Sequence, residues 1–146
     1  MGYEVSGTDI SREAVSICTD RFGSGMFLEG SVLSLPYPDS SFDYAVAVHV
    51  LEHITDVDMH RAVSEIRRIL KPGGYLFIRD FAPGDMREGS RADSDIVYIH
   101  RSPEDILAFF DGFSAVSCET VESRTRFGSV RCRAELLLRE NDKNPG

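Results

Sequence analysis

The sequence predicts an α/β fold with an antiparallel strand pair at its C-terminal end, on three observations. Short apolar runs (residues 3–9, 26–29, 43–50 and 75–79) alternate with stretches of helical spacing. The helical stretches carry their own start or stop signals. The last two runs, residues 113–121 and 130–139, follow one another with no helix between them.

Residues 3–9 form a short strand candidate that ends in the carboxylate of Asp9. Ser11 caps the helix that follows, Glu13 suits the positive end of its dipole, and Ala14, Val15 and Cys18 make its expected buried stripe. Met26 to Glu29 is the next strand. Asp43 to Val50 is almost continuously apolar, as in a strand buried on both faces. Asp56 opens a helix with Met59, Ala62, Val63, Ile66, Ile69 and Leu70 at helical spacing, and Pro72-Gly73-Gly74 stops it. After the strand at residues 75–79, the segment from Phe81 to Arg101 is long and irregular, with Gly84, Gly89 and several acids. A connection of that length is expected to be a functional lid or disordered. Ser102-Pro103-Glu104-Asp105 combines a capping serine, a proline at the first helical position and an acid three residues after the cap; Gly112 is expected to end this helix. The domain spans residues 1–140, and residues 141–146 are a polar tail.

The 146 residues suffice for one core, and 42% hydrophobic and 27% charged residues are ordinary for a globular chain. No apolar run approaches the roughly 20 residues that span a bilayer, so no membrane partner is expected, and no signal segment opens the chain. Cys18, Cys118 and Cys132 are odd in number and lack metal-ligand spacing; reduced thiols in the cytoplasm are expected, and no metal site. The net charge of −8 is uneven: residues 1–60 carry 10 acids and 2 bases, and residues 61–146 carry 14 of each. That balance excludes a purely electrostatic nucleic-acid binder, although Arg124, Arg126, Arg131 and Arg133 can form a local basic patch or simply a solvated surface.

In a doubly wound sheet the ligand lies outside the carboxyl ends of the strands. Asp9 sits at such an end, where a carboxylate can accept hydrogen bonds from both hydroxyls of a ribose while Ile10 packs on the base; it can equally cap the next helix. Gly30-Ser31-Val32 follows the next strand and reads either as an adenine contact or as an ordinary turn. Ala47-Val48-His49 ends the strand after that. His49 can orient a nucleophile or accept its proton, or serve packing alone. His53 reads as structural.

The run Leu35-Pro36-Tyr37-Pro38-Asp39-Ser40-Ser41-Phe42-Asp43-Tyr44-Ala45-Val46, with Leu51-Glu52-His53-Ile54 and Leu70-Lys71-Pro72-Gly73-Gly74, resembles the middle of a class I S-adenosylmethionine (SAM)-dependent methyltransferase of type 11. The resemblance runs from Tyr3 to about Arg79. It implies a Rossmann-like sheet, SAM as cofactor, and a cofactor site at Asp9, Ile10, Ser31, Val32, Ala47, Val48 and His49. Ser31 departs from the acid often found at its position. A narrower resemblance, to the tRNA 3-methylcytidine methyltransferases, rests on Ile78-Arg79-Asp80-Phe81, Asp85-Met86, Tyr98-Ile99-His100 and the Arg-rich run from Val130 to Leu136. It implies that Arg79 and Asp80 line a target-base pocket, acting with His49 as catalytic residues, and that Arg126 and Arg133 touch RNA. The bare residues allow instead a local Arg79–Asp80 ion pair at a sheet edge.

The resemblance also implies a central first strand and a Gly-rich turn roughly 20 residues before the ribose-binding acid. Only eight residues precede Asp9, and none forms that turn. The first strand of the sheet is therefore expected to be missing. Three explanations are open: an N-terminally truncated enzyme, a cofactor-free pseudo-methyltransferase acting as a partner-binding subunit, or a smaller sheet in which the flanking strands pair directly. The expected partners are a small-molecule or tRNA substrate and a protein or second copy covering the missing-strand region. A nicotinamide-dependent dehydrogenase, which shares an acid after its second strand, lacks support because no dinucleotide glycine fingerprint is present.

Overall fold

The computed structural model describes residues 2–88 and 95–142. Gly89 and the centre of the expected lid (89–94), and residues 143–146 of the expected tail, lie outside the described residues. The chain order is β1 (Gly7–Asp9), α1 (Arg12–Phe22), β2 (Phe27–Glu29), β3 (Phe42–Val48), a 3₁₀ turn (Leu51–His53), α2 (Asp56–Ile69), β4 (Leu70–Phe81), α3 (Pro103–Leu107), β5 (Phe113–Arg124) and β6 (Val130–Glu140).

Two sheets result. β1 and β2 form a parallel pair, and the other strands form a second sheet in the order β3-β4-β6-β5. Its β3–β4 pairing is parallel, and β6 is antiparallel to both of its neighbours, so the expected C-terminal pair is present. β1 and β3, the strands expected to flank a missing one, do not pair with each other; the smaller closed sheet is thereby excluded. Each of them keeps one unpaired edge among the described residues.

The large sheet is covered on one face. Met59, Ala62, Val63 and Ile66 of α2 meet Leu76 and Ile78 of β4 and Ala134, Leu136 and Leu138 of β6, with Ile106 and Phe110 closing the end. The opposite face presents Tyr44 and Val46, 53% and 65% exposed, beside half-buried Tyr75, Phe77 and Leu137. This corrects the expectation that the strand over residues 43–50 is buried on both faces: of β3 only Ala47 is buried. The stripe expected on α1 is likewise corrected, since none of its residues is buried.

Local signals explain the helix ends. Ser11 Oγ accepts from Ala14 N at 3.2 Å. Ser102 and Asp105 form a reciprocal capping box, each side chain accepting from the other's backbone N–H. α3 ends well before Gly112, however: the chain turns at Ala108 to Phe110, and Gly112 takes φ +83° in the approach to β5. α2 also stops before its expected breaker. Leu70 is already extended and pairs with Phe42, and residues 71–74 form an irregularity in β4 opposite Asp43. Gly74 is required there, because a Cβ would lie 2.9 Å from Lys71 O.

Candidate active site

β3 and β4 run parallel in register, Val48 opposite Arg79, and so deliver His49 and Asp80 side by side at their carboxyl ends. His49 N donates to Arg79 O at 2.8 Å, and His49 adopts a left-handed backbone, φ +56°. Such a conformation in a non-glycine residue is costly and is held only by its surroundings. The chain then turns through Leu51–His53, which places Glu52 beneath both residues. One ligand atom from each of His49, Glu52 and Asp80 lies within 4.8 Å of the other two.

Glu52 and Asp80 are each 2% exposed. Glu52 Oε2 accepts from Phe81 N at 2.8 Å and stands 3.3 Å from His49 Nδ1. Asp80 Oδ1 accepts from Val50 N at 3.3 Å. Burial, followed by the neighbouring Glu52 charge, pushes the Asp80 carboxyl up to about 7. Two carboxylates brought together away from water resist joint ionisation.

The turn itself is locked from outside. The Arg101 guanidinium is buried, donates to Leu51 O and Ile54 O at 3.0 and 2.7 Å, and clamps Asp56 Oδ1 with Nε and Nη2. Ile99 N donates to Glu52 O at 2.7 Å, and His53 Nδ1 lies 2.8 Å from Val97 O. The end of the long connection is thus tied to the turn. Its beginning is tied to β6, where the buried carboxylate of Asp85 accepts from Cys132 N at 2.9 Å. The rings of Phe81, His49, Tyr98 and His100 gather here, with centroids 4.3, 6.4 and 6.1 Å from Phe81, and the Arg87 guanidinium lies 4.5 Å over the Phe81 ring.

Arg79 is not part of this group. Strand alternation sends it to the open face, where Nε reaches Glu135 Oε1 at 2.8 Å, while Asp80 points to the covered side. Arg79 and Asp80 thus leave β4 on opposite faces. Their mutual ion pair at a sheet edge is not formed, and β4 is an interior strand.

The other expected residues are spread along the sheet ends. Asp9 Oδ1 accepts from Ser11 N at 2.7 Å, so the carboxylate does meet the helix start; Ile10 beside it is 76% exposed. Ser31 Oγ accepts from Leu33 N at 3.1 Å, and Val32 packs against the main core. Val48 is exposed, whereas the Ala47 side chain is buried in the core and offers a ligand only its main chain. An exposed carboxylate and an exposed apolar side chain at one strand end fit the adenosine half of SAM. Among residues 2–9 no glycine takes a positive φ.

Residues 1–78 match the family model described as "Methyltransferase domain". The chain belongs to the class I SAM-dependent methyltransferase family. "Probable methyltransferase ltbC" of Aspergillus luteorubrus is 38% identical over 87 residues, covering 55% of this chain and 30% of that protein. A tRNA N(3)-cytidine methyltransferase of Mus musculus is 40% identical over 55 residues, 38% of this chain and 14% of its own length. The chain thus spans less than a third of either relative. Among solved structures, a SAM-dependent methyltransferase of Methanosarcina mazei superposes with a TM-score of 0.80 at 20% identity, covering 97% of this chain and 84% of that one. At that identity the likeness bears on the fold, and it agrees with the Rossmann-like sheet the methyltransferase motifs imply.

Sequence reasoning missed Glu52 and Arg101. Glu52 had a signal, an acid inside the otherwise apolar run from Val48 to Leu51 and Ile54. Arg101 had none, because its partners lie 45 to 50 residues away.

Proposed function

We propose that this methyltransferase chain carries the acceptor side of a SAM-dependent methyl transfer together with the adenosine half of the cofactor site. The observation that carries this reading is the meeting of His49, Glu52 and Asp80 at adjacent carboxyl ends of parallel strands, where open α/β sheets bind ligands. Asp9 takes the ribose hydroxyls, Ile10 and Val32 flank the adenine and Ser31 hydrogen-bonds it. Val48 and the main chain of Ala47 and His49 lie along the methionine end. The bound cofactor supplies an activated methyl on a sulfonium, so the protein's task is orientation and close approach. His49, half exposed and held by Glu52, orients the acceptor or receives its proton. The rings of Phe81, Tyr98 and His100 favour a planar small molecule bearing an ionisable O–H or N–H.

A second acceptor, an RNA base such as a tRNA cytidine, is favoured by the β5–β6 hairpin. Arg124, Arg126, Arg131 and Arg133 gather around its turn, and Phe127 at the tip is 82% exposed, as a base-stacking ring would be. The free edges of β1 and β3 support a further strand added by the rest of a longer enzyme or by a partner subunit. A non-catalytic partner-binding role for this chain rests on the same edges. Three free thiols, with burial pushing Cys118 and Cys132 upward, support a reducing cytoplasmic setting.

Calorimetric titration of SAM and S-adenosylhomocysteine tests the reading. We expect saturable binding that Asp9→Ala weakens by about 1–3 kcal/mol, the loss of charge-assisted hydrogen bonds. Binding untouched by Asp9→Ala overturns the ribose assignment. Absence of binding both to this chain and to a version extended by a cofactor-loop strand leaves the non-catalytic reading.

A further inference from the structure

We infer that His49, Glu52 and Asp80 form a binding site for a divalent cation of the Mn²⁺ or Zn²⁺ type. The three side chains come from two places, residues 49–52 and residue 80, and the parallel β3–β4 pairing makes them converge. They offer one imidazole nitrogen and two carboxylates, a donor set suited to those ions more than to Ca²⁺, which takes oxygen ligands, or to Cu⁺, which takes sulfur.

A second observation points to a missing positive charge. Glu52 Oε1 is buried and has no hydrogen-bond partner among the described residues, and its side chain is 1% exposed. His53 Nε2 stands 3.7 Å from it, beyond hydrogen-bond distance. A carbonyl oxygen can only accept, so the contact of His53 Nδ1 with Val97 O puts a proton on Nδ1. Glu52 faces an imidazole on each side, His49 at Oε2 and His53 at Oε1, with no hydrogen bond assigned to Oε1.

Among the described residues no lysine or arginine forms an ion pair with either acid. Arg101, the nearest guanidinium in charge terms to Asp80, spends its nitrogens on Asp56, Leu51 O and Ile54 O. Buried carboxylates are ordinarily paired or bound to metal. The shell around the ligands is also built: Phe81 N holds Glu52 Oε2, Val50 N holds Asp80 Oδ1, and Ile99 N holds the Glu52 main chain. His49 is 37% exposed, which leaves the outer side of the site open to an acceptor oxygen. In the reaction proposed above such an ion would polarise that oxygen, with His49 as its ligand.

The test reads cation binding with no cofactor or acceptor present, so its result is independent of the SAM titration. Co²⁺ is titrated into the chain as a visible probe, followed by displacement with Zn²⁺ and a parallel Mn²⁺ titration by electron paramagnetic resonance. We expect one equivalent bound, with d–d absorption, displaced by Zn²⁺, and weakened about tenfold or more in His49→Ala and in Asp80→Asn. His49→Ala changes a half-exposed residue, and circular dichroism of each variant checks that it is folded. Glu119→Gln, an exposed acid on β5, should leave binding unchanged. Absence of stoichiometric binding overturns the site. So does an intense sulfur-to-cobalt charge-transfer band, which would assign the ion to the thiols, and so does binding that both folded variants retain.

Discussion

Residues 2–34 and residues 42–140 are built from the same vocabulary of short strands and capped helices, yet only the second region makes a core. No described residue before Ala47 is buried, while β4, β6, α2 and α3 together enclose one continuous apolar layer. α1 has a correct cap and a correct stop, Ser11 and Gly23, and still packs nothing away from water. The difference teaches that helix ends are local chemistry, whereas burial needs a partner face. β4 and β6 find one in α2, whereas β1, α1 and β2 contribute no buried residue. The proposed site follows the same division. Its rigid part, His49, Glu52 and Asp80, stands on the packed sheet, and the residues proposed for the cofactor, Asp9, Ile10 and Ser31, stand on the unpacked pair.

The largest expected effect comes from cutting into the packed region. Leu136→Ala should lower stability by about 2–5 kcal/mol in urea unfolding, since Leu136 is fully enclosed. Val15→Ala on α1 should cost no more than about 0.5 kcal/mol. Equal costs would break the comparison. Hydrogen exchange sharpens it: amides of α1 should exchange through local opening, far faster than those of β4 and β6.

Arg101→Met comes next. Leu51 O and Ile54 O lose their buried donor, at about 1–3 kcal/mol, and the turn that carries Glu52 should loosen. A smaller shift in the urea midpoint than for an exposed arginine such as Arg126 would show that the clamp is dispensable. A cap placed in each region then separates local from cooperative stability. Ser102→Ala should cost about 1 kcal/mol because α3 closes the core, while Ser11→Ala should fray α1 with little change in the main transition.

The smallest effect is in acid. Glu65 bonds Arg68 and Leu35 N and is held below the usual carboxylate range, chiefly by the hydrogen bond from Arg68. A depressed folded-state value means stability that is present above the unfolded value and lost as pH falls through the folded one. Melting temperatures measured from roughly pH 5 down to pH 3 should therefore fall less steeply for Glu65→Gln than for the parent. Parallel slopes would remove this anchor of the segment before β3.

Much of the fold was legible because its signals are local. The capping box at Ser102, the cap at Ser11, the apolar face of α2 and the adjacency of β5 and β6 all lie within a few residues of the elements they specify. Two helix ends were misplaced for a tertiary reason: Leu70 is drawn into pairing with Phe42, and the turn at Phe110 packs against Phe113, each ahead of the glycine that marks the stop. In the site, Asp80 and His49 were legible as strand-end residues. Glu52 carried only the faint signal of an acid between Leu51 and Ile54, which does not say whether it faces water or is pressed beneath a sheet.

By itself the sequence determined the order of the elements, the antiparallel ending, the family and the identity of the strand-end side chains, because periodicity and caps are written in neighbouring residues. The tertiary structure alone decided which sheet face is covered, that Arg79 meets Glu135 while Asp80 meets Val50 N, and that Glu52 completes the cluster with His49. Those outcomes depend on the register between β3 and β4 and on a clamp reaching 50 residues along the chain to Leu51, distances over which sequence carries no local physical signal.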